Sequence, residues 1–400
     1  MPPTATATRF SDWAVYSDVL LLHTIASAVI RLADIRGLDA FTLPYPAEAQ
    51  RAVDRLVLSC LLRRIDEMPR SVPDLLAWCH TRPLEDWPLD LPPDAFGPDD
   101  LLVDPVALVP TQLCHEWWIH SRDSAAAQFD RDVVRSAMRL CQQASSPESY
   151  TAFRRLLVDK PVLSSAEKFE ISTDLYLDPV TELLERCYEP APVSHRRDGI
   201  YTTCGRCLTL LLPLPGGDWW CERDACRRRG PAPTGRALTE ETDADVVYQL
   251  VRPLRQFVTG PGRAEVDLEG RLTALRAGAK RLDVAMWPGF DAYDVRITFP
   301  DGLVWAVDVK DWKHPGLLAK AAKAVPAQPP YDESCWVVPQ EQVDAHGDYL
   351  ATYYRNLAPA AQDLPLLTDR HLVDLARTRL RGNTDVHLVA AHGGKGGPHA

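Results

Sequence analysis

The clearest alternation of apolar and polar positions lies at 293–299, where Val295, Ile297 and Phe299 are separated by polar residues. A second run, 303–309, stays apolar until Asp308. Between them stands Pro300-Asp301-Gly302, in which proline presets one φ and glycine accepts a positive one. The pattern predicts a β-hairpin. Helical spacing dominates the first half of the chain. A loose tail, 1–8, leads to a helix N-cap at Ser11-Asp12 and a long amphipathic helix ending at Gly37. Its apolar positions include Trp13, Leu20, Leu22, Ile25, Val29 and Leu32. Further helices are expected at 47–65, 105–121, 129–143, 147–158 and 179–187, with Lys160-Pro161 parting the last two. The stretch 84–105 is rich in Pro and Asp and holds no Lys or Arg, so it reads as a solvated loop that would repel a phosphate backbone.

The second half mixes both periods. A helix is expected at 243–251, ended or kinked by Pro253. A Gly260-Pro-Gly-Arg263 loop then precedes a helix at 264–277. Glu265 and Glu269 share one face of that helix. A strand follows at 282–287, then the hairpin, and then a helix at 317–324 opened by His314-Pro315-Gly316. Next come a strand at 334–338, helices at 349–357 and 370–381, and a strand at 386–389. This order predicts an α/β core with a central mixed sheet. The chain thus reads as multidomain, α plus α/β: an all-α docking or scaffold domain at 1–195, a four-cysteine module at 196–235, the α/β core at 236–390 and a disordered tail at 391–400. Gly393-Gly-Lys-Gly-Gly397 in that tail lacks the Ser/Thr and helix of a phosphate loop.

Composition narrows the function classes. The chain has 400 residues, a net charge of −11 and 25% charged residues, so any nucleic-acid surface must be local. No signal peptide is evident, and the ten cysteines show no pattern beyond one group of four, which points to a reducing, cytoplasmic setting. The longest apolar run, 19–30, is interrupted by His23 and is too short to span a bilayer, so no membrane role is expected. His23 reads as a packed or surface histidine, and Trp117-Trp118 as core or interface.

Two constellations carry chemistry. Cys204-Gly-Arg-Cys207 and Cys221-Glu-Arg-Asp-Ala-Cys226 make a C-x2-C-x13-C-x4-C pattern, with a turn at Pro215-Gly216-Gly217 that brings the pairs together. Four thiolates at that spacing suit tetrahedral Zn²⁺ in a closed structural site. Arg196, Arg197, Arg206, Arg223, Arg227, Arg228 and Arg229 crowd the module, either as phosphate contacts or as a solvated surface. One of Trp219 and Trp220 is expected to pack over the zinc site. In the second constellation, strand alternation puts Asp308 and Lys310 on one side, and antiparallel pairing brings Asp294 beside Asp308. Paired carboxylates repel unless a cation lies between them, and hard Mg²⁺ prefers such oxygens. Lys310 suits the orienting of a water or the stabilising of phosphorane charge. Glu265 is a further candidate. Asp283 reads as structural.

The order Glu265, Asp294, Asp308-Val309-Lys310 resembles the PD-(D/E)xK restriction-endonuclease-like superfamily over about 245–390. The proline usual before the first strand acid is replaced by Tyr293. The whole layout, with AYDVRITFPDG and WAVDVKDW, looks like the restriction-endonuclease-related proteins encoded beside prokaryotic PIWI-RE proteins and a DinG-type helicase. That resemblance implies a Mg²⁺-dependent endonuclease acting on DNA, with RNA not separable, in defence against plasmids or phage. It implies that Asp294 and Asp308 bind Mg²⁺, that Lys310 assists the attacking water and that Glu265 supports metal or water. Lys313 and Arg355 are weaker candidates for phosphate contact. The competing reading is a non-catalytic zinc-ribbon adaptor whose core only binds nucleic acid or a partner.

Overall fold

The computed structural model describes residues 13–33, 35, 43–119, 126–240 and 245–388, with side chains left aside at 126–131. The expected tail at 1–8, the Ser11-Asp12 cap, the stop at Gly37 and the tail at 391–400 lie outside the described residues. The chain folds as two compact units. The first comprises 1–127, 312–322 and 348–360; the second comprises 128–311, 323–347 and 361–400.

The first unit is helical. Val19–Ala33, Ala47–Leu62, Val72–Thr81 and Gln112–Ile119 are joined by two helices from late in the chain, Pro315–Ala321 and Tyr349–Asn356. Leu22, Ile25 and Val29 are buried as their spacing requires, whereas Leu20, read as apolar-face, is 71% exposed. Trp117 and Trp118 are core residues, and His23 donates from Nδ1 to the Trp117 carbonyl, 2.7 Å away. The helix expected over 105–121 begins only at Gln112, and Val72–Thr81 was missed.

The reading of 84–105 as a solvated loop is corrected. Its aspartates anchor the late-chain helices. Asp94 accepts a bidentate pair from Arg355, at 2.8 and 3.1 Å, and a bond from Asn356 at 2.9 Å. Asp100, 7% exposed, pairs with Lys313 and His314. Burial pushes the Asp100 carboxyl up, but its contacts with His314 and Lys313 outweigh that and hold it well below the usual carboxylate range. Lys313 and Arg355 are therefore engaged as structural partners of aspartates rather than held out as phosphate ligands.

The second unit is built on a five-stranded mixed sheet. Its strands are β1 (Asp283–Met286), β2 (Val295–Thr298), β3 (Val304–Val309), β4 (Glu333–Val338) and β5 (Leu366–Thr368), in the order β5-β4-β3-β2-β1. β1, β2 and β3 pair antiparallel, and β4 and β5 extend the sheet in parallel. The hairpin expected at 293–309 is β2–β3, in register Val295↔Val307, and Gly302 in its turn has φ +90°. β3 is buried at every position but Asp308, as a central strand covered on both faces must be. Trp305 and Val307 share a core with Leu268 and Leu272 of the Gly260–Thr273 helix and with Phe153 and Leu157 of the Pro147–Asp159 helix. The helices at Ala126–Gln143 and Pro147–Asp159 thus pack with the C-terminal core.

Several elements differ from expectation. The 243–251 helix is instead strand Tyr248–Leu250, the centre of a small sheet with Val162–Leu163 and Tyr188–Pro190; residues 243 and 244 lie outside the described residues. Those two flanking strands also break the all-α reading of 1–195. Pro253 does not end a helix but starts one, since a first-turn proline sacrifices no hydrogen bond. From there the chain runs through a π-turn at Arg255–Thr259 into Gly260–Thr273, so Gly260-Pro-Gly-Arg263 is helix and not loop. Residues 386–388 of the expected last strand are irregular, while β5 and the helices Ser165–Ser172 and Gln340–Ala345 were missed.

Gly262 explains the glycine-rich start of the helix. A Cβ there would lie 2.4 Å from Cγ2 of Val158, so the crossing of the two helices depends on its absence. Val158 is β-branched and stiff at χ1, and gives way poorly. Gly262→Ala is expected to lower stability by about 1–3 kcal/mol, the range for overpacking, despite the better helix propensity of alanine. Adding Val158→Ala should return part of that loss. Denaturant melts of the two variants measure both effects; an unshifted Gly262→Ala curve would rule the close crossing out.

Candidate functional site

The β2–β3 hairpin brings three of the expected groups together by register alone. Lys310 follows the last residue of β3, and its N–H continues the parallel ladder to the Val337 carbonyl at 2.7 Å. Its Nζ lies 2.9 Å from Oδ2 of Asp308 and 4.0 Å from Oδ2 of Asp294. Asp294, immediately before β2, is fixed at both ends. Its Oδ2 accepts the Val309 N–H at 2.6 Å, and its carbonyl accepts the Trp287 N–H at 2.8 Å.

Glu265 comes from the Gly260–Thr273 helix and is 3% exposed. Its Oε2 accepts the Trp287 indole N–H at 2.5 Å and pairs with Nη2 of Arg154 at 3.6 Å. Glu269, on the same helical face, forms a two-point pair with Arg155 at 2.8 Å and serves packing. Asp283 is exposed at the start of β1.

The electrostatics are those of crowded acids. Burial, then the charges of Glu265 and Asp308, hold Asp294 well above the usual carboxylate range. Burial also raises Glu265, against the opposing pull of Arg154. Burial alone would lower Lys310, but Asp308 and Asp294 outweigh it and keep the ammonium charged. The donors are all carboxylate oxygens, and the excess of negative charge suits a hard divalent cation. Asp308 and Lys310 keep side-chain exposures of 13% and 23%, whereas Glu265 keeps 4%, so the Asp308–Lys310 side is the one open to solvent. The three carboxylates do not close into a tight cage. Among the described residues, only the four cysteines form a group of three or more potential ligands within 4.8 Å of one another.

Arg154 was not singled out from the sequence. It lies on the Pro147–Asp159 helix, is 7% exposed, and pairs with Asp291 at 3.6 Å as well as with Glu265. Tyr150, one turn earlier, donates to Asp291 at 2.9 Å. A local spacing could not reveal them, because 111 to 141 residues of chain separate these partners; Phe153 and Leu157 mark only that the helix has a buried face.

The second centre is the cysteine module. Leu211–Pro213 and Trp219–Cys221 form the expected hairpin, with Gly216 and Gly217 both at φ +97°. It returns Cys221 to within 3.4 Å, sulfur to sulfur, of Cys207. Four thiolates on a tetrahedral zinc stand about 3.8 Å apart for Zn–S bonds of about 2.3 Å, so this buried set could hold zinc. Trp219 packs against the cysteines, as expected of one of the tryptophan pair. The remaining six cysteines are also buried and free of disulfides.

The arginines of the module resolve toward structure. Arg206 donates to the carbonyls of Cys226, Gly230 and Arg229, and Arg227 to that of Cys221. Arg197 donates to Gly217 and Asp218 and stacks on Trp219. Arg196 pairs with Glu240, Arg228 with Gln342 and Arg229 with Glu341. Arg223 pairs with Asp311 at 2.5 Å, and its neighbour Glu222 pairs with buried Arg255 at 2.6 Å. The first contact ties the module to the residue directly after Lys310, and the second ties it to the π-turn before the Gly260–Thr273 helix. The phosphate-contact reading of these arginines therefore finds no support.

Among the described residues, no helix is long and apolar enough to cross a membrane.

Elemental analysis of the purified chain should find one zinc per molecule. Cys207→Ser and Cys221→Ser should each lose it and melt at lower temperature, since metal affinity is folding energy for such a module. Cys141→Ala should leave the zinc content unchanged.

Two family models match the chain. One is described as pPIWI_RE three-gene island domain Y and covers residues 21–164; the other is described as REase associating with pPIWI_RE and covers residues 262–384. No curated protein and no solved structure matches. The second match contains Glu265, Asp294, Asp308 and Lys310, the first contains Tyr150 and Arg154, and the cysteine module lies between them.

Proposed function

As a pPIWI_RE-associated, REase-like protein, the chain joins a Y domain to an REase domain, and from that premise we propose that it is a divalent-metal-dependent nuclease hydrolysing DNA phosphodiester bonds. The observation that carries the reading is the meeting of Asp294, Asp308 and Lys310 at the ends of paired strands, with Glu265 behind them. Asp294 and Asp308 would hold the ion, with Mg²⁺ the natural occupant of an oxygen-only site. Such an ion, when bound, polarises a phosphate oxygen and acidifies a coordinated water. Lys310 keeps its charge beside both aspartates and remains solvent-accessible, so it can orient the attacking water or offset charge gathering on the phosphate. Glu265 buttresses the buried side of the site, and Val309 fixes the Asp294 carboxylate through its N–H.

The island to which both domains are assigned implies association with PIWI-RE system proteins. We place the activity in defence against plasmids or phage, with a PIWI-RE protein and a DinG-type helicase as partners in a cytoplasmic setting. The domain plan that goes with this reading is a helical docking region, the zinc ribbon at 196–235 and the nuclease core. The alternative is a non-catalytic zinc-ribbon adaptor whose core only binds nucleic acid or a partner; the arginines of the ribbon, spent on the protein's own carbonyls and acids, lend it no binding surface there.

With Mg²⁺ present, the purified chain, with its partners if required, should cut DNA. Lys310→Ala and Asp308→Asn should each slow cutting by at least about 100-fold, the scale on which a lost general acid–base or electrostatic group is felt. Replacing DNA by RNA of the same sequence tests the substrate. Cutting at equal rates by wild type and Lys310→Ala would refute the site.

A further inference from the structure

The segment between β1 and β2 is backbone of an uncommon kind. Trp287, Gly289, Phe290 and Asp291 all have left-handed φ, at +48°, +63°, +61° and +69°. Three of them carry side chains, and such residues cost of order 1–3 kcal/mol each unless their surroundings over-determine them. The surroundings do so here. Trp287 donates its indole N–H to Glu265 and its backbone N–H to the Asp294 carbonyl. Phe290 packs edge-on against Tyr150 at 6.0 Å. Asp291 receives the Tyr150 hydroxyl and the Arg154 guanidinium. Gly289 lies so close to Pro329 that a Cβ would stand 2.7 Å from its Cδ.

One group ties these contacts together. Arg154 faces Asp291 and Glu265, each at 3.6 Å, and lies 5.2 Å over the Trp287 ring. Removing a single partner from buried ion pairs leaves uncompensated charge, which costs several kcal/mol. Both contacts to Glu265 fall on Oε2. The carboxylate is thus held by one oxygen and turned by it.

We propose that Arg154 is a positioning residue of the nuclease site: from the Pro147–Asp159 helix it orients Glu265 and locks the left-handed 287–291 segment from which Asp294 follows. The proposal rests on the nuclease reading above. It gives the first matched region, 21–164, a part in the site of the second, 262–384, rather than docking alone. Arg154 acts through Glu265 and through Asp291, and touches neither Asp308 nor Lys310 in any described contact.

The test uses the full chain and follows DNA cutting against Mg²⁺ concentration, with Mn²⁺ binding by calorimetry as a readout independent of turnover. Arg154→Met should raise the half-saturating Mg²⁺ concentration and weaken Mn²⁺ binding by about 10–100-fold, the usual effect of losing an outer-shell partner. Arg154→Lys, which keeps the charge, should recover part of both. Binding of uncut DNA without metal should change by less than about twofold, because Arg154 is buried. Metal dependence matching wild type in a folded Arg154→Met would overturn the proposal. If Arg154→Met does not fold, Asp291→Asn carries the test. Asparagine tolerates left-handed backbone, so only the charge contact is lost; a shift in the same direction supports the clamp and a wild-type curve overturns it. Failure of the nuclease reading shows separately, in wild type: no cutting, and Mn²⁺ binding no different from Asp308→Asn. In that case the positioning role falls with it.

Discussion

Acids crowded into a low-dielectric interior are the constraint on which this structure turns. Asp294 is buried within electrostatic reach of both Glu265 and Asp308, and burial makes Glu265 and Asp294 dearer to ionise. Two cations answer them from opposite sides. Arg154 meets the acids on the closed side, through Glu265 and Asp291, and Lys310 meets them on the open side, through Asp308 and Asp294. The close crossing at Gly262 lets the Arg154 helix approach the Glu265 helix, and the left-handed turn at 287–291 brings a fourth carboxylate up to the same guanidinium. A site so arranged is closed behind and open to solvent in front.

The same principle governs the charges elsewhere. Arginines around the four cysteines look from their density like a surface for phosphate, yet they cap carbonyls of the loops that present the thiolates and pair with nearby acids. Four thiolates would leave a bound zinc with net negative charge, which the surrounding guanidinium groups would offset. Asp94 and Asp100, which look like solvated loop charges, are anchors for helices that arrive more than 200 residues later. With a net charge of −11 and its cations so occupied, the chain has little general attraction for a polyanion.

How much of this could be read along the chain follows from the range of the forces involved. The hairpin, its turn and the meeting of Asp294 with Asp308 and Lys310 were legible, because strand alternation and Pro-Asp-Gly chemistry act over a few residues. The four-cysteine pattern was legible for the same reason. Tyr248–Leu250 was misread because a three-residue strand is too short to show a period. The Gly260–Thr273 helix was misread at its start because Gly-Pro-Gly is ordinarily punctuation, and only the nearness of Val158 explains glycine there.

The amino-acid sequence by itself determined which acids lie on neighbouring strands, which thiols share a module and which side of the hairpin carries the lysine. These are consequences of local backbone geometry. Tertiary structure alone decided that a helix from residues 147–159 supplies the counter-charge for Glu265, and that the arginines around the four cysteines are spent on the protein's own carbonyls and acids. Both depend on which distant segments share a buried space, and pairing across such distances is set by packing and desolvation rather than by any periodicity of the chain.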